Sequence, residues 1–169
     1  MSRMCEVESW EQNGYTVEIY QDDDAQSPDH WDNNELFLIT TSNRYFEVSR
    51  KGFDMDSARD GKYKRDYNIV PLYAYIHSGV SLSIDRRGCF SDPWDSGHIG
   101  FVFVKKRAGF RDIQKAAQSL VEEWNMYLAG DVWGYVIERN GEQVDSLWGM
   151  YGIDYARERA KEAVPVQAR

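Results

Sequence analysis

Along this 169-residue chain, apolar and polar positions alternate in several short runs, and in one longer run the apolar positions recur every three or four residues. Alternation over residues 14–20 (G-Y-T-V-E-I-Y) predicts a strand with one buried face, and residues 36–41 (L-F-L-I-T-T) predict a second. Residues 69–76 (I-V-P-L-Y-A-Y-I) read as a strand in which Pro71 demands an edge position or a bulge. Residues 80–85 form a short strand, and 99–106, with G-F-V-F-V near their centre, form the strongest one. Helical spacing is clearest over 110–128, where Ile113, Ala116, Ala117, Leu120, Val121, Trp124, Tyr127 and Leu128 make one apolar face and Gly130 supplies a stop. Two alternating segments, 132–139 and 142–149, flank Asn140-Gly141, a strong hairpin signal. Residues 153–163 predict an exposed C-terminal helix. Between 42 and 68 the chain is polar, with Gly52, Gly61, the basic run 62–65 and one helical turn.

Hairpins outnumber β-α-β units, so the expected class is α+β. The expectation is a single domain over 1–169: a mainly antiparallel sheet of about six strands packed on one main helix, with a short C-terminal helix. Residues 1–12 and 164–169 are expected to be flexible.

Charge adds a polarity that the apolar pattern does not show. The net charge is −8, from 20 basic and 28 acidic residues. Residues 1–48 carry −9, residues 49–115 carry +5 and residues 116–169 carry −4. Phosphate attraction has the wrong sign for such a chain, so direct nucleic-acid binding is not expected. An acidic face suits a basic partner, including a nucleic-acid-binding groove on another protein. Six Trp, eleven Tyr and seven Phe leave two readings open: contact residues on a surface, or a small core built on rings.

Cys5 and Cys89 make neither a disulfide framework nor a zinc site, and are expected as free thiols. The opening M-S-R-M-C-E-V-E lacks the apolar core of a signal peptide, and no run reaches the roughly 18 apolar residues of a membrane span. A cytoplasmic protein without a membrane partner or a cofactor is expected.

Residues 21–35, Q-D-D-D-A-Q-S-P-D-H-W-D-N-N-E, form an overlong loop, and D-P-W-D-S-G at 92–97 is its shorter echo. Their oxygens suit a hard cation, with Asp22, Asp24 and Asp32 as candidate ligands. An EF-hand does not fit, since Ser27 and Asn33 stand where Gly and Glu would be needed. Both loops are also explained by Asx turns, with Gly97 offering a positive φ before the next strand. His77, at a predicted strand end, could act as a base with Asp92 and Asp95, but no nucleophile elbow, zinc spacing or phosphate-binding glycine loop is present. Cys89 beside Arg86 and Arg87 has no identifiable partner base.

Residues 20–33, 71–79 (P-L-Y-A-Y-I-H-S-G), 92–104 (D-P-W-D-S-G-H-I-G-F-V-F-V), 129–135 (A-G-D-V-W-G-Y) and 148–152 (W-G-M-Y-G) resemble segments of small uncharacterised proteins of tailed phages and related mobile elements. Ile76 stands where the resemblance leads one to expect an acid, and His98 where it leads one to expect Gln. The resemblance implies a mobile-element setting and carries no activity with it.

The leading expectation is therefore a non-enzymatic protein that binds and inhibits a host defence complex, of anti-CRISPR or antirestriction type. Asp22, Asp23, Asp24, Asp29, Trp31, Asp32, Glu35 and Trp94 are its candidate docking residues. The competing expectation is a metal-assisted hydrolase or a binder of a small phosphorylated signal. It would use Asp22, Asp24, Asp32, Asp92 and Asp95, with His77 as base.

Overall fold

The computed structural model describes residues 6–31, 33–44, 46–86 and 96–166, with the backbone alone at 30, 31 and 96. It divides into two compact units. Met1–Ser27 and Ala129–Arg169 form unit 1, and the intervening Pro28–Leu128 forms unit 2.

Unit 1 is one antiparallel sheet with one helix. Its strands are β1 (Glu6–Gln12), β2 (Tyr15–Gln21), β7 (Val132–Arg139) and β8 (Glu142–Tyr151), which lie side by side in the order β1-β2-β7-β8. Two Asn-Gly turns close its hairpins. Asn13 and Gly14 have φ of 53° and 80°, and Asn140 and Gly141 have 54° and 79°, the left-handed pair that a two-residue hairpin needs. Helix α3 (Ile153–Ala163) packs on one face of this sheet. Ala156 and Ala160, four residues apart and fully buried, let it approach Val17, Ile19, Tyr135 and Ile137 closely. Arg157 fastens the same helix to the edge strand, donating from Nε and Nη2 to the Glu8 carboxylate and from Nη1 to Asp154 at 2.6 Å.

Unit 2 is also built on a four-stranded antiparallel sheet, but here both faces are covered. The strands are β3 (Leu36–Thr40), β4 (Tyr67–Ile76), β5 (Val80–Ser83) and β6 (Ser96–Lys105), in the order β3-β6-β4-β5. Helix α2 (Ile113–Leu128) covers one face, where Val102 and Val104 meet Leu38, Leu72, Val121 and Trp124. The other face holds Phe37, Ile39 and Phe103 under Phe53, Tyr63 and Tyr67 and the short helix α1 (Met55–Arg59). Phe37 and Phe103 stack at 4.9 Å. With both faces buried, β6 must be apolar at consecutive positions, and Val102, Phe103 and Val104 are all fully buried. Asn125 of α2 guards the sheet's outer edge: its side-chain amide accepts from the Leu82 N–H at 2.8 Å and donates to the Leu82 carbonyl at 2.9 Å.

The α+β class and the antiparallel pairing agree with the sequence pattern. The expected six strands on one main helix are instead, among the described residues, eight strands in two sheets, each with its own long helix. The chief addition is β1, in a stretch the apolar pattern left without an element. Pro71 lies in β4 beside a bulge at Leu72/Tyr73, and β5 pairs only with Tyr73–Ile76, so among the described residues the proline's other side has no strand partner. Gly97 falls within β6 and does not take a positive φ.

Candidate functional site

The loop at 21–35 divides between the two units, and several of its polar groups hold the backbone in place. Asp22 Oδ1 accepts from the Asp24 N–H at 3.2 Å and Oδ2 from the Gly149 N–H at 3.0 Å. The carboxylate thereby ties the end of β2 to β8, where Gly149 has a φ of 76°. Asn33 Oδ1 accepts from the Glu35 N–H at 2.9 Å, an Asx turn leading into β3. A 3-10 turn, Pro28–Trp31, occupies the middle of the loop.

Asp29 faces Arg50 at 3.5 Å. The Arg50 side chain is only 6% exposed, lies over the Phe37 ring at 4.3 Å and donates to the Asn33 carbonyl at 3.1 Å. Sequence reasoning missed this arginine, which pins the second half of the acidic loop to unit 2. Asp23, Asp24 and Glu35 are exposed. Asp32, Asp92, Trp94, Asp95 and the Trp31 side chain lie outside the described residues. The shared Asp/Trp site therefore rests on residues the structure does not describe, as does the pairing of His77 with Asp92 and Asp95. His77 follows β4, and its N–H donates to the Gly79 carbonyl at 3.2 Å, closing the β4–β5 hairpin. Its ring lies 6.1 Å from that of Tyr75. Among the described residues, no three His, Cys, Asp or Glu side chains converge as a metal site.

The geometry brings together a different acidic group, on the face of the unit 1 sheet opposite α3. Partners in antiparallel strands share a face, so the register lays out this surface in three rows. The first row is Glu6, Tyr20 and Gly134, the second is Ser9, Glu18, Val136 and Ser146, and the third is Glu11, Thr16, Glu138 and Gln143. The Trp148 indole covers Gly134, where a Cβ would collide with its ring. Glu6, Ser9 and Glu11 are exposed, and Thr16, Glu18, Tyr20, Val136, Glu138 and Trp148 are half-buried. The residues directly behind them, Val17, Ile19 and Ile137, are fully buried against α3.

Carboxylates dominate this face. The Tyr20 hydroxyl donates to Glu18 Oε2 at 3.1 Å, and the Thr16 hydroxyl to Glu11 Oε1 at 2.7 Å. Burial, the hydrogen bond to Glu18 and the charges of Glu18, Glu6 and Glu138 together raise the Tyr20 phenol above its ordinary pKa. The four strands contain one basic residue, Arg139, whose guanidinium lies over the Tyr15 ring at 5.1 Å, and Tyr15 packs on the α3 side. The signal for this face was present in the sequence. Glu11, Glu18 and Glu138 occupy the polar positions of alternating strands, but they read as ordinary solvated residues until β1 and the register are known.

Charge separates the two units as sharply as covering does. Unit 1 contains fourteen acidic and six basic residues, and unit 2 contains fourteen of each. The whole net charge of −8 therefore belongs to unit 1.

No family model, curated protein or solved structure matches this chain. Among the described residues, no helix is long and apolar enough to cross a membrane.

Proposed function

We propose that this protein is a non-enzymatic inhibitor from a phage or mobile element. In this reading it acts in the host cytoplasm, and its acidic unit docks on the basic, nucleic-acid-binding surface of a host defence complex. The observation that carries the reading is the charge segregation: unit 1 holds the full −8, and one face of its sheet displays four glutamates without a lysine or arginine. Such a face matches a surface evolved for phosphates and repels nucleic acid itself. The resemblance of residues 20–33, 71–79 and 92–104 to small phage proteins supports the setting. Asp23 and Asp24, which follow the end of β2 in the same unit, are exposed as well.

The test is phage plating on bacteria that carry a CRISPR or a restriction system and express the full chain. The expected result is restored plating in at least one such background, abolished by the double reversal Glu18→Lys/Glu138→Lys in a protein that still folds. Plating that stays blocked in every background, or rescue unaffected by the reversal, would contradict the reading.

A further inference from the structure

We propose that the open face of the unit 1 sheet is an arginine-docking surface, with the outer face of the Trp148 indole as the seat for a guanidinium. This inference rests on the docking role proposed above and adds which cation the partner presents. Three adjoining atoms of the Trp148 six-membered ring, Cδ2, Cε3 and Cζ3, crowd the place that a Cβ on Gly134 would take. Neighbouring ring atoms gather around one point above a sheet when the ring lies flat on it. One π face of the indole therefore rests on the Gly134 backbone, and the other looks away from the sheet. Gly134 is the residue that makes this possible, because any side chain there would lift the ring.

The surroundings of the indole select a cation. Tyr20 stands beside it, with ring centroids 6.0 Å apart and planes inclined by 35°. Glu6 pairs with Tyr20 in the same row, and Glu18, which accepts from the Tyr20 hydroxyl, lies in the next. An aromatic face attracts a cation through its quadrupole, and carboxylates at its margin reinforce the attraction. A guanidinium fits both features at once, since its plane stacks on the ring while its N–H fork reaches carboxylates at the side. A lysine ammonium is compact and more strongly hydrated, so it gains less from the indole.

Other occupants suit the face less well. Among the described residues, no three acidic side chains converge as a metal site. A neutral sugar ring could stack on the indole, yet it would leave the four carboxylates without a counter-charge.

Fluorescence-polarisation titration of the full chain with labelled nona-arginine and nona-lysine peptides of equal charge tests the proposal. The expected result is binding of both that weakens steeply with salt, with nona-arginine tighter by roughly tenfold, the scale of a well-placed cation–π contact. Trp148→Leu should remove most of that preference and leave nona-lysine binding nearly unchanged, while Glu18→Gln/Glu138→Gln weakens both peptides alike. Near-UV circular dichroism confirms that each variant folds. Equal affinity for the two peptides would overturn the arginine seat and leave acidic docking standing. A preference that survives Trp148→Leu would overturn it as well. Failure of both peptides to bind at low salt would overturn the seat and the docking role together.

Discussion

The two units use the same sheet, four antiparallel strands, and finish it differently. In unit 2, α2 lies on one face and the aromatic cluster of Phe37, Phe53 and Phe103 on the other, so its central strand β6 is apolar on both sides. In unit 1, α3 covers one face, and the opposite one displays glutamates and two rings. The strand sequences record this difference. The centre of β6 is uninterrupted F-V-F-V, whereas β2 alternates Val17 and Ile19 with Thr16, Glu18 and Tyr20. Burying one face of a sheet is enough to fold it, and a second face left polar is available for a partner. Unit 2 supplies charge balance and a two-sided core, and unit 1 supplies a charged surface.

Glycine substitutions probe the comparison most strongly. A Cβ at Gly100 of β6 would strike the Ile39 carbonyl, which is backbone and cannot turn aside. Gly100→Ala is expected to destabilise unit 2 by about 3 kcal/mol, at the upper end of overpacking costs. The same change at Gly134 meets the Trp148 side chain first, which can turn aside, so it should cost about 1 kcal/mol and chiefly displace the indole. Denaturant melts followed by Trp fluorescence and by circular dichroism check both values, and an equal cost at the two glycines would break the contrast.

Next in size is the guarded edge of unit 2. Asn125→Ala removes both side-chain bonds to the Leu82 backbone and leaves a buried N–H and carbonyl unpaired. A loss of about 1–3 kcal/mol is expected, with faster amide exchange at Leu82. Unchanged exchange there would show that α2 does not guard the edge.

The smallest effect concerns acid. Hydrogen bonding to Arg157, opposed by burial and aided by the charges of Arg157 and Lys161, holds the Glu8 carboxyl below its ordinary range. A depressed folded-state value means that the ion pair contributes above the unfolded-state pKa and is lost as pH falls through the folded one. Acid should therefore loosen α3 from β1 in unit 1. Side-chain NMR titration should show Glu8 protonating at lower pH than an ordinary glutamate and returning to the ordinary range in Arg157→Ala. No change in that variant would remove the clamp from the account.

Much of the fold was legible in the chain because its elements carry strong local signals. Helix α2 declares itself by apolar spacing, and Asn140-Gly141 marks the β7–β8 hairpin. The same dipeptide at Asn13-Gly14 marks the β1–β2 hairpin, but E-V-E-S-W-E-Q has too few apolar residues to stand out as a strand. Missing β1 concealed the second sheet, and with it the rows that gather Glu6, Glu11, Glu18 and Glu138. The acidic loop at 21–35 drew attention because its charges are consecutive, yet Asp22 and Asp29 are held by Gly149 and Arg50. Long-range pairing decides which charges share a surface, and composition along the chain does not show it.

Amide chemical-shift mapping of the full chain during titration with nona-arginine tests the central claim most directly. The account predicts the largest shifts at Glu18, Tyr20, Val136 and Glu138 and at the Trp148 indole N–H, with small changes in α3 and unit 2. Shifts concentrated in unit 2, or confined to Asp23, Asp24 and Glu35, would contradict it.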